Sequence, residues 1–135
     1  EQLLHVQQSI RVLHGALGVV GVVERDQFDL SPMDTAGAVY DVLVDVRPGS
    51  PTFGQWQGFE LTQSNRAMLY VPGGFAHGYQ CLTDNCEVFY QMSEFYHPDL
   101  ARGIHHADPE VGIAWPLPDP LCSEKDRGLP LLRDL

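Results

Sequence analysis

The chain has 135 residues, 44% of them hydrophobic, with eighteen acidic side chains against eight basic ones and a net charge of −10. That length suits one domain, 1–135, whose core closes without disulfides or a structural metal, and the apolar content excludes a disordered chain. The acidic balance argues against a nucleic-acid binder, which needs a basic face, and no apolar run approaches the roughly 20 residues of a membrane helix.

Residues 1–15 (EQLLHVQQSIRVLHG) are mixed, compatible with strand or irregular chain. With no basic head before an apolar stretch, no signal peptide is expected. Residues 16–23 (ALGVVGVV) form a buried-strand pattern, and the polar, proline-containing 25–35 (RDQFDLSPMDT) a loop. Residues 37–47 (GAVYDVLVDVR) alternate with period two. Tyr40, Val42, Val44 and Val46 point one way, and Asp41, Asp45 and Arg47 the other. That predicts a strand with one face in the core. After the turn PGSP at 48–51, strands are expected at 55–61 (QWQGFEL), 67–71 (AMLYV), 76–82 (AHGYQCL) and 87–92 (EVFYQM). Short strands parted by Gly/Pro turns indicate an all-β sandwich or barrel. From about Asp108 the chain is proline-rich, and an irregular tail packed on the sheets is expected, with a short helix near 123–127.

His77, Tyr79 and Cys81 share one strand face, and Val88, Tyr90 and Met92 share one face of the next strand. If those strands lie in one half of a sandwich, His77 and Tyr90 line one cavity; a core tyrosine and a satisfied histidine are the plain alternative. No His-x-His occurs, and the adjacent His105 and His106 would point apart on a strand, so no metal is expected. In Ser123-Glu124-Lys125-Asp126, Asp126 is a candidate carboxylate and Lys125, the only lysine of the chain, a candidate phosphate or sugar contact; an exposed charged cluster is the plain alternative. Three cysteines without a C-x-x-C pair suit a reducing compartment, the cytoplasm. There is no P-loop, G-x-G-x-x-G or G-x-S-x-G motif.

Five motifs in order resemble the dTDP-4-dehydrorhamnose 3,5-epimerase family: VLVDVRPGSPTFGQW at 42–56, LYVPGGFAHG at 69–78, EVFYQ at 87–91, DPEVGIAWP at 108–116 and LCSEKDRGLPLL at 121–132. The resemblance implies a cupin-like β-jelly-roll, a homodimer, and no metal or cofactor. It also implies epimerisation of a dTDP-4-dehydro-6-deoxy-sugar at C3 and C5, by proton transfer beside the C4 ketone. Carried over by motif, Tyr90 is the proton-donating tyrosine and Asp126 the aspartate that orients the catalytic histidine. His77, Lys125 and Arg11 become ligand contacts, with Tyr70 and Trp56 as weaker ones.

The segment for the base departs from the family pattern, R-G-L-H-x-Q followed by Q-G-K-L-V. RVLH at 11–14 keeps the arginine, leucine and histidine, which favours His14 and requires a short insertion before Tyr40. LHVQ at 4–7 offers His5, and a gap-free alignment back from Tyr40 puts Gly21 there, leaving no base. The family's enolate-stabilising lysine has no counterpart, an acidic residue before R-G-I is Ala101, and the N-terminal third looks truncated or rewritten. The resemblance therefore leaves three readings: a 3,5-epimerase, a same-fold enzyme acting at C3 only or as a ketoisomerase, and a degenerate jelly-roll that keeps only fold or ligand binding.

Overall fold

A computed structural model of the chain describes residues 11–12, 18–21, 37–84, 86–92 and 101–135, with 11–12, 18–21 and 89–92 described by backbone alone. The loop expected at 25–35 and both candidate bases, His14 and His5, lie outside the described residues.

Among the described residues eight strands run in chain order: β1 Arg11–Val12, β2 Gly18–Gly21, β3 Ala38–Asp45, β4 Trp56–Thr62, β5 Met68–Val71, β6 Phe75–Cys81, β7 Phe89–Met92 and β8 Arg102–Gly103. A short helix, α1 Glu124–Arg127, and a 3-10 turn, Leu132–Asp134, follow. One sheet has the order β4-β3-β6-β1-β8 and the other β5-β2-β7, and every described pairing is antiparallel. The strands expected over residues 37–92 are found, most shifted by a residue or two at their ends. β8 escaped the sequence pattern because two residues carry no period.

β3 is the centre of the larger sheet, bonded to β4 on one side and β6 on the other along most of its length. Its alternation sorts the side chains as the period predicts, but both faces are covered, not one. Val42 and Val44 are fully buried, and so is Asp41, with Asp45 2% exposed. The valine face meets the C-terminal segment: Val42, Val44 and Ala76 cluster with Ile104, Val111 and Leu132, flanked by Trp56, Ile113 and Trp115. The aspartate face turns to the smaller sheet, where Val39, Leu61 and Cys81 pack with Phe59, Leu69 and Val88. Burying each of these valines stabilises the fold by about 1.5–3 kcal/mol. Gly58 sits beside Val42 in register, and Tyr40 lies across it so closely that a Cβ there would run into the phenol ring.

The tail has little regular structure, so side chains supply what a ladder would. Gln80, fully buried on the valine face, donates from Nε2 to the Leu117 carbonyl and accepts from the Leu117 N–H, both at 3.0 Å. Asp108, 2% exposed, accepts from the N–H groups of Glu110 (2.7 Å) and Val111 (3.1 Å) through Oδ1 and of Leu132 (2.6 Å) through Oδ2. Burial works to raise its pKa, but the three N–H donors outweigh it and hold the carboxyl below its ordinary value. Asp108→Ala leaves buried N–H donors without acceptors and is expected to cost about 3–5 kcal/mol. Urea unfolding of the purified variant measures this, and a loss under about 1 kcal/mol would remove Asp108 as the anchor of the tail.

Candidate active site

Residues directly opposite in an antiparallel pair point to the same face. The registers therefore build the inner face of the larger sheet in rows: Leu61, Val39 and Cys81; then Phe59, Asp41 and Tyr79; then Gln57, Leu43 and His77; then Asp45 and Phe75. The first row is apolar. The next rows place two buried carboxylates and one imidazole among hydrophobic neighbours, the composition of a ligand pocket.

His77 Nε2 lies 2.8 Å from Asp41 Oδ1, with His77 14% exposed and Asp41 fully buried. The approach is off the hydrogen-bonding axis, and Asp41 Oδ2 has no partner among the described residues. A buried carboxylate is costly unless a positive or hydrogen-bonding group stands against it. The neighbouring Tyr79 ring lies 6.4 Å from the imidazole, centroid to centroid.

Asp45, on the same face as Asp41, holds the loop between β3 and β4. Its Oδ1 accepts from the Arg47 N–H (3.0 Å) and Nε (2.9 Å), and its Oδ2 from Arg47 Nη2, Ser50 Oγ and Thr52 Oγ1, each at 2.6 Å. The Arg47 guanidinium, first among these donors, holds the Asp45 carboxyl well below the usual carboxylate range against the opposing effect of burial. Arg47 also lies 4.6 Å over the Phe75 ring and against Gly74, whose φ of +85° and crowded position leave no room for a Cβ. The loop after β3 is thus clamped to the turn that leads into the strand carrying His77.

The backbone of Arg11 is in register with both His77 and Gly103, so β1 lies between the His77 strand and β8. Beyond β8 come His105 and His106. The sequence pattern would have pointed them apart; their rings instead stack at 4.5 Å, because residues 104–107 are not strand. Burial pushes His106 below its ordinary pKa, with His105 adding to the effect and the Asp126 charge opposing it. Cys122 Sγ stands 3.8 Å from both ring nitrogens of His106, and burial, reinforced by Asp126, pushes its thiol up.

Asp126 is 3% exposed, so the SEKD cluster is not simply a solvated surface; Lys125 is exposed. The Ser123 hydroxyl caps α1 by accepting from the Asp126 N–H (3.1 Å) and donates to Asp126 Oδ2 (2.6 Å). Tyr90 is in β7, in register with Val20 of β2. β7 and β6 belong to different sheets, so the condition under which the sequence pattern alone would put Tyr90 and His77 in one half of the sandwich is not met. A seven-residue link in sequence between two strands does not fix sheet membership, and here the chain crosses over. Gly21 is likewise in β2, paired with Phe89. Trp56 packs in the valine-face core, and Tyr70 is half exposed on the outer side of β5. Asp41 and Asp45 were not singled out from the sequence. Their only signal was their place in the alternation, which looked like a solvent face.

The model of the dTDP-4-dehydrorhamnose 3,5-epimerase family matches residues 7–134. The chain is similar to the dTDP-4-dehydrorhamnose 3,5-epimerase of Pseudomonas aeruginosa, with 50% identity over 69% of this chain and 52% of that protein. Among solved structures it is similar to a 4-keto-6-deoxy sugar epimerase from the novobiocin biosynthetic gene cluster of Streptomyces spheroides (32% identity, TM-score 0.82, covering 96% of this chain and 62% of the other). It is also similar to the dTDP-6-deoxy-D-glucose-3,5-epimerase of Legionella pneumophila, solved in complex with dTDP-4-keto-L-rhamnose (34% identity, TM-score 0.77, 95% and 63%). The chain spans about half the length of the curated relatives it matches. Two facing antiparallel sheets, this match along the chain and these superpositions fix the fold as a cupin-like jelly-roll, and the chain belongs to the dTDP-4-dehydrorhamnose 3,5-epimerase family.

Proposed function

We propose that this chain is an epimerase acting on a dTDP-4-dehydro-6-deoxy-sugar at C3, C5 or both, in deoxysugar biosynthesis. The observation that carries the reading is the pair Asp41 and His77 set against each other on the inner face of the larger sheet, in a chain of this family. The ketone acidifies the C–H bonds beside it. A base takes one proton, the electron pair moves to the C4 oxygen, and an acid returns a proton from the opposite face. The oxygen that gains charge needs a donor or a cation nearby.

Tyr90 serves as the acid. His14 serves as the base, oriented by Asp126; supporting this, β1 holds the first half of RVLH between the His77 strand and β8, beyond which His106 lies near Asp126. The burial of Asp126 suits a carboxylate that supports a neighbouring charge. Arg11, His77 and Lys125 contact the nucleotide or sugar. The protein works as a cytoplasmic homodimer, the compartment that three cysteines without a C-x-x-C pair suit and the assembly that the family resemblance implies.

The test is product analysis. Incubating the chain with dTDP-4-dehydro-6-deoxy-glucose, reducing the ketone with borohydride and separating the released sugars is expected to yield epimers absent without protein. A 3-epimer alone marks a single-site enzyme. Recovery of only the unepimerised sugars, with dTDP still bound, supports the degenerate reading instead.

A further inference from the structure

A carboxylate orients a base only if it is itself held. The side chain of Asp126 has two torsions, and the second, which turns the carboxylate, has a broad well that rotamer preference does not fix. We infer that Ser123 is a positioning residue for the reaction, fixing the Asp126 carboxylate that orients the base; the inference rests on the epimerase reading above.

Three observations carry it. The Ser123 hydroxyl makes two bonds to one residue: it accepts from the Asp126 N–H at 3.1 Å and donates to Asp126 Oδ2 at 2.6 Å. One oxygen thus ties the backbone of Asp126 to its carboxylate, which sets both side-chain torsions. The shorter contact has the length of a charge-assisted O–H···O⁻ bond, the stronger kind. An ionised carboxylate has about four acceptor positions, so a bond to Oδ2 leaves capacity for an imidazole N–H.

The helix itself does not depend on this hydroxyl. Within α1 the Arg127 N–H donates to the Ser123 carbonyl and the Gly128 N–H to the Glu124 carbonyl, both at 3.1 Å. The segment is also pinned beyond the helix, by the His105 N–H on the Pro130 carbonyl (2.8 Å) and the Leu132 N–H on Asp108 Oδ2 (2.6 Å). Aspartate caps a helix as well as serine does, but when ionised it has no proton to give. Capping alone therefore does not call for a hydroxyl at 123, whereas holding the carboxylate does.

Burial is the third observation. Asp126 is 3% exposed, so protein groups and not bulk water set its direction. Ser123 is exposed, so a smaller residue there opens no cavity in the core. Ser123 keeps its proton throughout; it acts through Asp126, and the proton transfers stay with the base and Tyr90.

The experiment measures kcat and KM on dTDP-4-dehydro-6-deoxy-glucose and dTDP affinity for the wild type, Ser123→Gly and Ser123→Thr. Glycine is a tolerated cap without a hydroxyl, and threonine restores both the cap and the donor. Lys125, in the same helix, makes dTDP affinity a report on whether α1 keeps its place. The expected result for Ser123→Gly is a fall in kcat of about 10-fold to 100-fold, the size usual for a group that orients a catalytic one, with KM and dTDP affinity within about threefold. Ser123→Thr returns kcat to within about threefold of the wild type. Wild-type kcat in Ser123→Gly, a parallel loss of dTDP affinity, or a threonine variant as slow as the glycine one overturns the inference and leaves the epimerase reading standing. A wild type without turnover overturns both.

Discussion

Replacing Tyr90 with phenylalanine is expected to slow turnover by about 10²–10⁴-fold while leaving dTDP affinity within about threefold. The substitution removes one hydroxyl and keeps the ring. Tyr90 is on β7, an edge strand of the smaller sheet, paired only with β2 among the described strands. A phenol without its hydroxyl still fills the space but has no proton to return to the sugar. The loss should fall on kcat, because the proton is needed only as the new C–H bond forms. Steady-state kinetics on the keto-sugar checks it. A change confined to KM would make Tyr90 a binding residue and leave the acid unassigned.

Asp45→Ala is expected to destabilise the fold by about 2–4 kcal/mol. The carboxylate collects a guanidinium, two hydroxyls and a backbone N–H. Because the Arg47 side chain is 48% exposed, water compensates part of the loss, which sets the estimate below that of a fully buried pair. The effect depends on pH in a fixed direction. Asp45 is held below its ordinary value of 3.8, so its contribution is fully present above about that pH and is lost as pH falls toward the folded-state value. The difference between wild type and Asp45→Asn should therefore be constant from pH 5 to 7 and shrink below about pH 3.8. Urea unfolding across that range measures it. A difference that grows in acid would contradict the assignment.

The Asp45 loop is linked to the inner face of the larger sheet through the chain. Asp45 fixes Arg47, Arg47 packs on Gly74 and Phe75, and that turn starts the strand bearing His77. The loop sequence from Asp45 to Gly54 supplies the donors for one carboxylate, and the carboxylate in turn sets where β6 begins. A change in this loop is thus felt in the pocket without touching a ligand.

The strands over residues 37–92 were legible because period two survives wherever one face of a strand differs chemically from the other. What the period could not tell was which face is the interior. In GAVYDVLVDVR the valines looked like the core side and the aspartates like the solvent side. The irregular, proline-rich tail covers the valine face, and a tail of that kind announces neither its path nor its partner in sequence. Gln80 and Asp108, which bind it through Leu117 and Leu132, are separated from those partners by 37 and 24 positions. The aspartates turn inward instead, which is why Asp41 was passed over beside His77. The family motifs point to His77, Tyr90 and Asp126 without this geometry, and the burial of Asp126 is what separates it from its exposed neighbour Lys125. The base was not legible. RVLH and LHVQ each preserve part of the family pattern, and both histidines lie outside the described residues.

The central claim is that this chain moves protons beside the ketone of a nucleotide-linked sugar. The most direct measurement is proton NMR of dTDP-4-dehydro-6-deoxy-glucose in heavy water with catalytic amounts of the wild-type chain. The predicted result is loss of the C3 or C5 proton signal, or both, at a rate set by the protein concentration. Signals that persist at the rate of the protein-free control would contradict it.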